Sequence, residues 1–287
     1  MPFFSVIIPV FNAEPWLREC LDSIAKQSYL NFEIVITNDG STDHSKEVIK
    51  KFTKDNESIT VKVIEQENAG LGNARNEAAK KAKGEWLCFI DADDYWSTQK
   101  LKQCRQYILN YQDKKWFYHE VYEKYPKGRM KERVGKECDS IKELLLDGNP
   151  IVPSATVIRK DIFLDNNGFD EDRNRVEDLG LWMSLFQARL APGFLEETLT
   201  VYRLGSGLTS NASDHFLKVM CVVDQAEKDG VISRMEKKEF VKRKHYEFAR
   251  QAHKMSDFKE ALKNYKIGSK GLKASVLSLM AKLSITV

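Results

Sequence analysis

An α/β fold, built on a mostly parallel Rossmann-like sheet with helices on both faces, is predicted by three features of residues 1–112. Short β-branched or apolar runs recur at 5–10, 32–37, 60–64 and 86–90. Between them lie segments whose apolar residues return every three or four positions, as on one face of a helix. Three of the runs end directly in polar sets: Phe11-Asn12, Asn38-Asp39-Gly40 and Asp91-Ala92-Asp93-Asp94. Strands alternating with helices make a parallel sheet, and in such sheets ligands sit outside the carboxyl ends of the strands. The architecture therefore brings those three sets together.

The elements justify themselves in order. Ser5 to Val10 is a buried strand, and Leu17, Cys20, Leu21 and Ile24 form one apolar face over Glu14 to Gln27. Phe32 to Thr37 is the second strand. Ser41, Thr42 and Asp43 then offer caps to a helix whose face is Val48, Ile49 and Phe52. Thr60 to Ile64 is the third strand, and Asn68-Ala69-Gly70 turns into an Ala- and Lys-rich helix. Trp86 to Ile90 is the fourth, followed by a helical stripe of Leu101, Cys104, Ile108 and Tyr111. Beyond residue 112 the regularity breaks. Residues 114–137 hold eight basic side chains against four acidic ones and read as a solvated hairpin. Ser140 and Glu143 form a capping box, Ala155 to Arg159 and Leu199 to Tyr202 read as strands, and a helix starts at Glu177. From Ser213 the chain reads as helical, with capping boxes at Ser233/Glu236 and Asp257/Glu260. The predicted organisation is a domain over 1–212, in halves 1–112 and 113–212, and a helical extension over 213–287.

Bulk properties narrow the classes. A formal charge of +3 over 287 residues gives no reason to expect a nucleic-acid partner. The basic character sits in residues 259–287, with six lysines and one acid. Five cysteines without paired spacing suit a reducing compartment and argue against a disulfide framework. The apolar run at the N-terminus lacks a basic segment before it and reads as a strand, not a signal peptide. A cytoplasmic protein is expected, with the inner face of the cell membrane as its alternative placement.

Three carboxylates in the four positions of Asp91-Ala92-Asp93-Asp94 resist joint ionisation unless something positive neutralises them. Each acidic set also has a plainer reading. Asp39-Gly40 makes a simple turn, Asp93-Asp94 a solvated loop start and helix cap, and acids such as Glu177-Asp178 are common in first helical turns. Trp182 fits a core position, and the five histidines fit incidental ones. A glycine-rich phosphate loop is missing after the first strand, where Pro9-Val10-Phe11-Asn12-Ala13-Glu14 stands. That argues against dinucleotide-dependent dehydrogenases and nucleotidyltransferases.

Together, Val6-Ile7-Ile8-Pro9-Val10-Phe11-Asn12, Asn38-Asp39-Gly40-Ser41-Thr42-Asp43, Asn68-Ala69-Gly70 with Ala74-Arg75-Asn76, and Asp91-Ala92-Asp93-Asp94 match a family pattern in order and spacing. In these pieces the chain resembles the family-two inverting glycosyltransferases of GT-A fold, strongly over 3–110 and less so to about 205. The resemblance implies a hexosyl- or N-acetylhexosaminyltransferase that uses a UDP-sugar, a divalent cation (Mn2+ or Mg2+) and a glycan or lipid-linked glycan acceptor, in bacterial surface polysaccharide synthesis. It implies that Asp39 accepts the uracil N–H and that Pro9, Phe11, Asn12, Asn68 and Ala92 line the nucleotide-sugar pocket. Arg75 would face the base or phosphates, Asp91 would bind the ribose, and Asp93 the cation. Asp178 matches the family's base, with Glu177 in support. A helix N-terminus there favours the ionised form and weakens a base, so burial or Glu177 must push the other way. The metal-binding His that many members carry after a Tyr-Arg pair is missing after Tyr202-Arg203, so either His215, the next one along, reaches back to the cation or a water or phosphate fills that position. The helical tail carries Leu272, Val276, Met280 and Leu283 among lysines, which suits a peripheral membrane contact or packing on the enzyme or a second subunit. The competing functions are a nucleotidyltransferase and a catalytically silent assembly subunit.

Overall fold

The computed structural model describes residues 1–133, 135–171, 176–204, 212–254, 258–268, 277–278 and 280–282. The chain divides into two compact units, 1–144 with 148–210, and 145–147 with 211–287.

The first unit opens with β1 (Phe4–Val10), α1 (Glu14–Ala25), β2 (Phe32–Asp39), α2 (Ser45–Asp55), β3 (Val61–Gln66), α3 (Leu71–Lys81) and β4 (Trp86–Phe89). β1 lies between β2 and β4, with β3 outside β2, and all four run parallel. Parallel neighbours need crossover connections, which the three helices supply. β1 is buried along its whole length because both faces are covered. Val6, Ile8 and Val10 share a core with Leu17, Cys20, Leu21 and Ile24 of α1. α3 packs on β1 and β2, its buried Ala74, Ala78 and Ala79 small enough for close approach.

There follow β5 (Tyr95–Trp96), α4 (Lys100–Asn110), β6 (Trp116–Lys124), β7 (Met130–Arg133), α5 (Ile141–Leu146), β8 (Thr156–Arg159), α6 (Lys160–Asp165), α7 (Glu177–Gln187) and β9 (Gly193–Arg203). They extend the sheet to the order β3-β2-β1-β4-β8-β6-β9-β5, with β7 on β6. Past β4 the pairings are antiparallel except β6 with β9. The expected solvated hairpin exists as β6–β7, but only its tip and second strand are exposed. Trp116, Phe117, Tyr118 and Val121 are buried because β6 runs through mid-sheet between β8 and β9. β9 begins six residues earlier than the sequence suggests; Glu196 and Glu197 interrupt its apolar run near a register shift against β6. Tyr111, expected on the apolar stripe of α4, lies past the helix end and is half exposed.

The second unit contains α8 (Ala212–Lys228), α9 (Arg234–Lys254) and α10 (Phe258–Gly268). Ser233 and Glu236 form the expected capping box at the start of α9. Ala249 and Tyr265 are buried with Leu277 and Ala281, and Met280 packs against them. Leu272, Val276 and Leu283 of the tail stripe and the Asp257 capping position lie outside the described residues. Among the described residues no helix is long and apolar enough to cross a membrane.

Candidate active site

The chain leaves β1 toward β2 on one side and returns through β4 on the other, so a crevice opens where the strand order reverses. Asp39 ends β2 there, buried. Its Oδ1 accepts from Gln66 Nε2 at 2.7 Å and Ala69 N at 2.8 Å, and its Oδ2 from Gly70 N at 3.0 Å. The carboxylate thus fixes the loop after β3, with lone pairs left for one further donor. Gly40 follows at φ +74°, where a Cβ would stand 2.9 Å from the Asn68 amide nitrogen. Asn12, at φ +48°, accepts from Thr42 N at 2.8 Å and so ties the end of β1 to the loop after β2. Phe11 beside it is 48% exposed, an aromatic face left at the mouth of the crevice.

The acidic turn after β4 is held from behind. Asp91 N donates to Ser154 Oγ at 3.0 Å. The Ser154 carbonyl in turn accepts from Trp96 Nε1, Lys100 Nζ and Thr200 Oγ1 at 3.1, 2.7 and 3.1 Å. Asp94 does not cap the following helix. Its Oδ1 accepts from Arg203 N at 2.7 Å and fastens the end of β9 to the turn, while Arg203 Nε donates to the Asp93 carbonyl at 2.7 Å. Burial first, then the charges of Asp93 and Asp91, push the Asp94 carboxyl well above the usual range.

Arg75 of α3 joins this edge to α7. It is 1% exposed; Nη2 donates to Asp91 Oδ1 at 2.5 Å and Nη1 to Glu177 Oε1 at 3.0 Å. The guanidinium lies 4.8 Å over the Phe169 ring, which packs among Phe89, Phe163 and Trp182. Beside it, Asn76 donates to the Phe169 carbonyl and to Glu171, and Asn73 also donates to Glu171, each at 2.9 Å. Asp178, next to Glu177, is half-buried and accepts from Asn149 Nδ2 at 3.0 Å. Loss of hydration, then the charge of Glu177, push its carboxyl up to about 7. The counterweight that a base at a helix N-terminus requires is therefore present. Tyr202 packs against Val121, Val152 and Ala155, and burial, with the carboxylates of Asp94, Asp91, Asp93 and Asp178, raises its phenol.

Asp91 and Glu177 thus meet on Arg75, with Asp178 beside Glu177 and Asp93 in the same turn as Asp91, while Asp39 ends the neighbouring β2 and Phe11 and Asn12 follow β1. Pro9 and Ala92 are buried, and Asn68 is exposed beside Gly40. The Arg75 guanidinium is engaged by the two carboxylates Asp91 and Glu177 and lies over the Phe169 ring. The side chain of His215 lies outside the described residues. Sequence reading missed Asn149, a single polar residue in the loop after α5, and Ser154, in the 3-10 turn Pro153–Ala155. Asn76 lay within a quoted motif without a role.

Among the described residues no three His, Cys, Asp or Glu side chains gather as a metal cluster. The turn nonetheless fits a hard cation that takes most of its ligands from phosphate and water. Its carboxylates crowd one another, and among the described residues Asp94 Oδ2 is buried without a hydrogen-bond partner.

Residues 5–162 match the sequence profile described as Glycosyl transferase family 2. The chain is 45% identical over 108 residues to Glycosyltransferase GlyA of Streptococcus pneumoniae, covering 38% of this chain and 15% of that protein. It is 37% identical over 107 residues to the poly(ribitol-phosphate) beta-N-acetylglucosaminyltransferase TarS of Staphylococcus aureus, covering 37% and 18%. The chain thus spans under a fifth of the length of these curated relatives. Among solved structures, S. aureus TarS 1–349 in complex with UDP-GlcNAc superposes with a TM-score of 0.62 at 20% identity, over 99% of this chain and 88% of that one. A mannosyltransferase from Pyrobaculum calidifontis in complex with GDP-Man and Mn2+ gives 0.64 at 14% identity, over 98% and 80%. These likenesses show the GT-A fold.

Proposed function

Because the chain belongs to glycosyl transferase family 2, we propose that it moves one sugar from a UDP-sugar to a hydroxyl of a glycan or lipid-linked glycan acceptor, with inversion. The observation that carries this reading is the half-buried Asp178 carboxyl, poised at about 7 on a helix that Arg75 ties, through Glu177, to Asp91 of the acidic turn. A general base works best when its pKa lies near the working pH, and such help is worth on the order of 10²–10⁴-fold.

In this reading Asp39 accepts the uracil N–H and Asp91 the ribose hydroxyls, with Phe11 and Asn12 along the nucleotide. Residues 1–112 bind the donor and 113–212 the acceptor. Asp178 takes the proton from the acceptor hydroxyl as its oxygen attacks the anomeric carbon. The bond from that carbon to the diphosphate oxygen breaks, and UDP leaves from the opposite face. A divalent cation, Mn2+ or Mg2+, held by Asp93 would offset the charge growing on the departing diphosphate. UDP-GlcNAc is the first donor to try, since the TarS relative is named an N-acetylglucosaminyltransferase. Surface polysaccharide is the first acceptor class, since other relatives include a putative teichuronic acid biosynthesis glycosyltransferase, TuaG of Bacillus subtilis.

The test is UDP release from a panel of UDP-sugars with Mn2+ or Mg2+, with and without glycan acceptors. Acceptor-stimulated release supports the proposal. Formation of a sugar nucleotide from sugar phosphate and UTP would replace it with nucleotidyl transfer, and no turnover with tight subunit association would replace it with an assembly role.

A further inference from the structure

We infer that Arg75 is a positioning residue for the transfer step, holding the donor-side carboxylate Asp91 and the base-side carboxylate Glu177 on one guanidinium and so fixing where α7 presents Asp178. This rests on the reading of Asp178 as the base.

Three observations carry it. The guanidinium is buried, and its Nη1 and Nη2 reach carboxylates 102 and 16 residues away in sequence, a span suited to the rigid fork of arginine. α3 and α7 also pack directly on each other: a Cβ on Gly72 of α3 would stand at van der Waals distance, 3.4 Å, from Glu177 Cβ, while Asn73 and Asn76 pin Phe169 and Glu171. Among the described residues Glu177 Oε2 is buried without a hydrogen-bond partner, and Arg75 is the cation paired with this carboxylate. Removing one member of a buried ion pair leaves an uncompensated charge, here directly beside Asp178.

The charged and titratable neighbours of Asp178 set the sign of the effect. Glu177 on α7 raises its carboxyl, and Arg75 from α3 lowers it. Tyr202 from β9 stays neutral, its phenol raised. Asn149 contributes a neutral hydrogen bond. Loss of the Arg75 charge must therefore move the ionisation of Asp178 up, and neutralising Glu177 must move it down. A residue that only held the fold together would lower stability without producing opposite displacements.

The experiment is a carboxyl-carbon NMR titration of the full chain labelled with 13C-aspartate, with the Asp178 signal identified by its loss in Asp178→Asn. Arg75→Gln should displace the Asp178 midpoint upward by about one unit and Glu177→Gln downward by about one unit. The amide of Glu177→Gln can still accept from Arg75, so this variant decides the matter if Arg75→Gln does not fold. An unmoved midpoint in either folded variant, or displacement of both in one direction, overturns the inference. The titration needs no turnover, so failure of the glycosyltransferase reading would show separately, as absent transfer by the unaltered chain.

Discussion

Asn149 Nδ2 donates to Asp178 Oδ2 at 3.0 Å, and the Arg133 guanidinium donates to the Asn149 carbonyl at 2.8 Å. The proposed base is therefore steadied from the β6–β7 hairpin as well as from α3. One carboxylate oxygen is engaged by a neutral donor, which orients the group without adding charge.

The first prediction concerns pH. Asp178 must be ionised to accept a proton, so kcat/KM should rise with pH through a midpoint near 7. Stability should run the opposite way. A folded carboxyl that titrates near 7 holds its proton more tightly than the unfolded one, with an ordinary value near 3.8. The folded state then binds more protons between those values, so this contribution to stability declines as pH rises across that window. Asp178→Asn should remove the decline and raise the melting midpoint at pH 8 by roughly 2–4 °C for each kcal/mol regained. Thermal melts at pH 5 and 8 check it.

Asp93→Ala should remove the dependence of UDP-sugar affinity on Mn2+ or Mg2+, because the structure offers no metal cluster among the described residues to take over. Calorimetric titrations with and without the ion give the answer. Unchanged metal dependence would move the cation away from Asp93.

Gly40→Ala should weaken donor binding and cost on the order of 1–3 kcal/mol of stability. The added methyl needs a left-handed backbone and would press on the Asn68 amide nitrogen, displacing the loop that Asp39 holds. Denaturant melts and UDP affinity should fall together.

Trp182→Ala should cost about 3–5 kcal/mol in folding stability with no change in acceptor preference. The indole is buried and stacked on Trp116, with ring centres 5.1 Å apart and planes 7° from parallel, a core position and not an acceptor platform.

These contacts also show what was legible in the sequence. β1, β2, β4 and the faces of α1 and α2 were, because strands buried on both sides and amphipathic helices leave strong periodic signals. The acidic turn was visible as well, since architecture alone sends strand ends to one edge. β5 and α6, two and six residues long, carry too little pattern to register. The central place of β6 was masked by counting its charges without their alternation. Arg75 was seen, but not its partners. A motif shows that an arginine stands there, while its burial depends on Glu177, 102 residues later, arriving opposite it.

The central claim, that Asp178 does the chemistry and not the binding, is tested most directly by measuring UDP-sugar affinity and sugar transfer side by side in Asp178→Asn. The account predicts donor affinity within about twofold of the unaltered chain and transfer reduced by on the order of 10²-fold or more. Transfer at the unaltered rate, with intact donor binding, would contradict it.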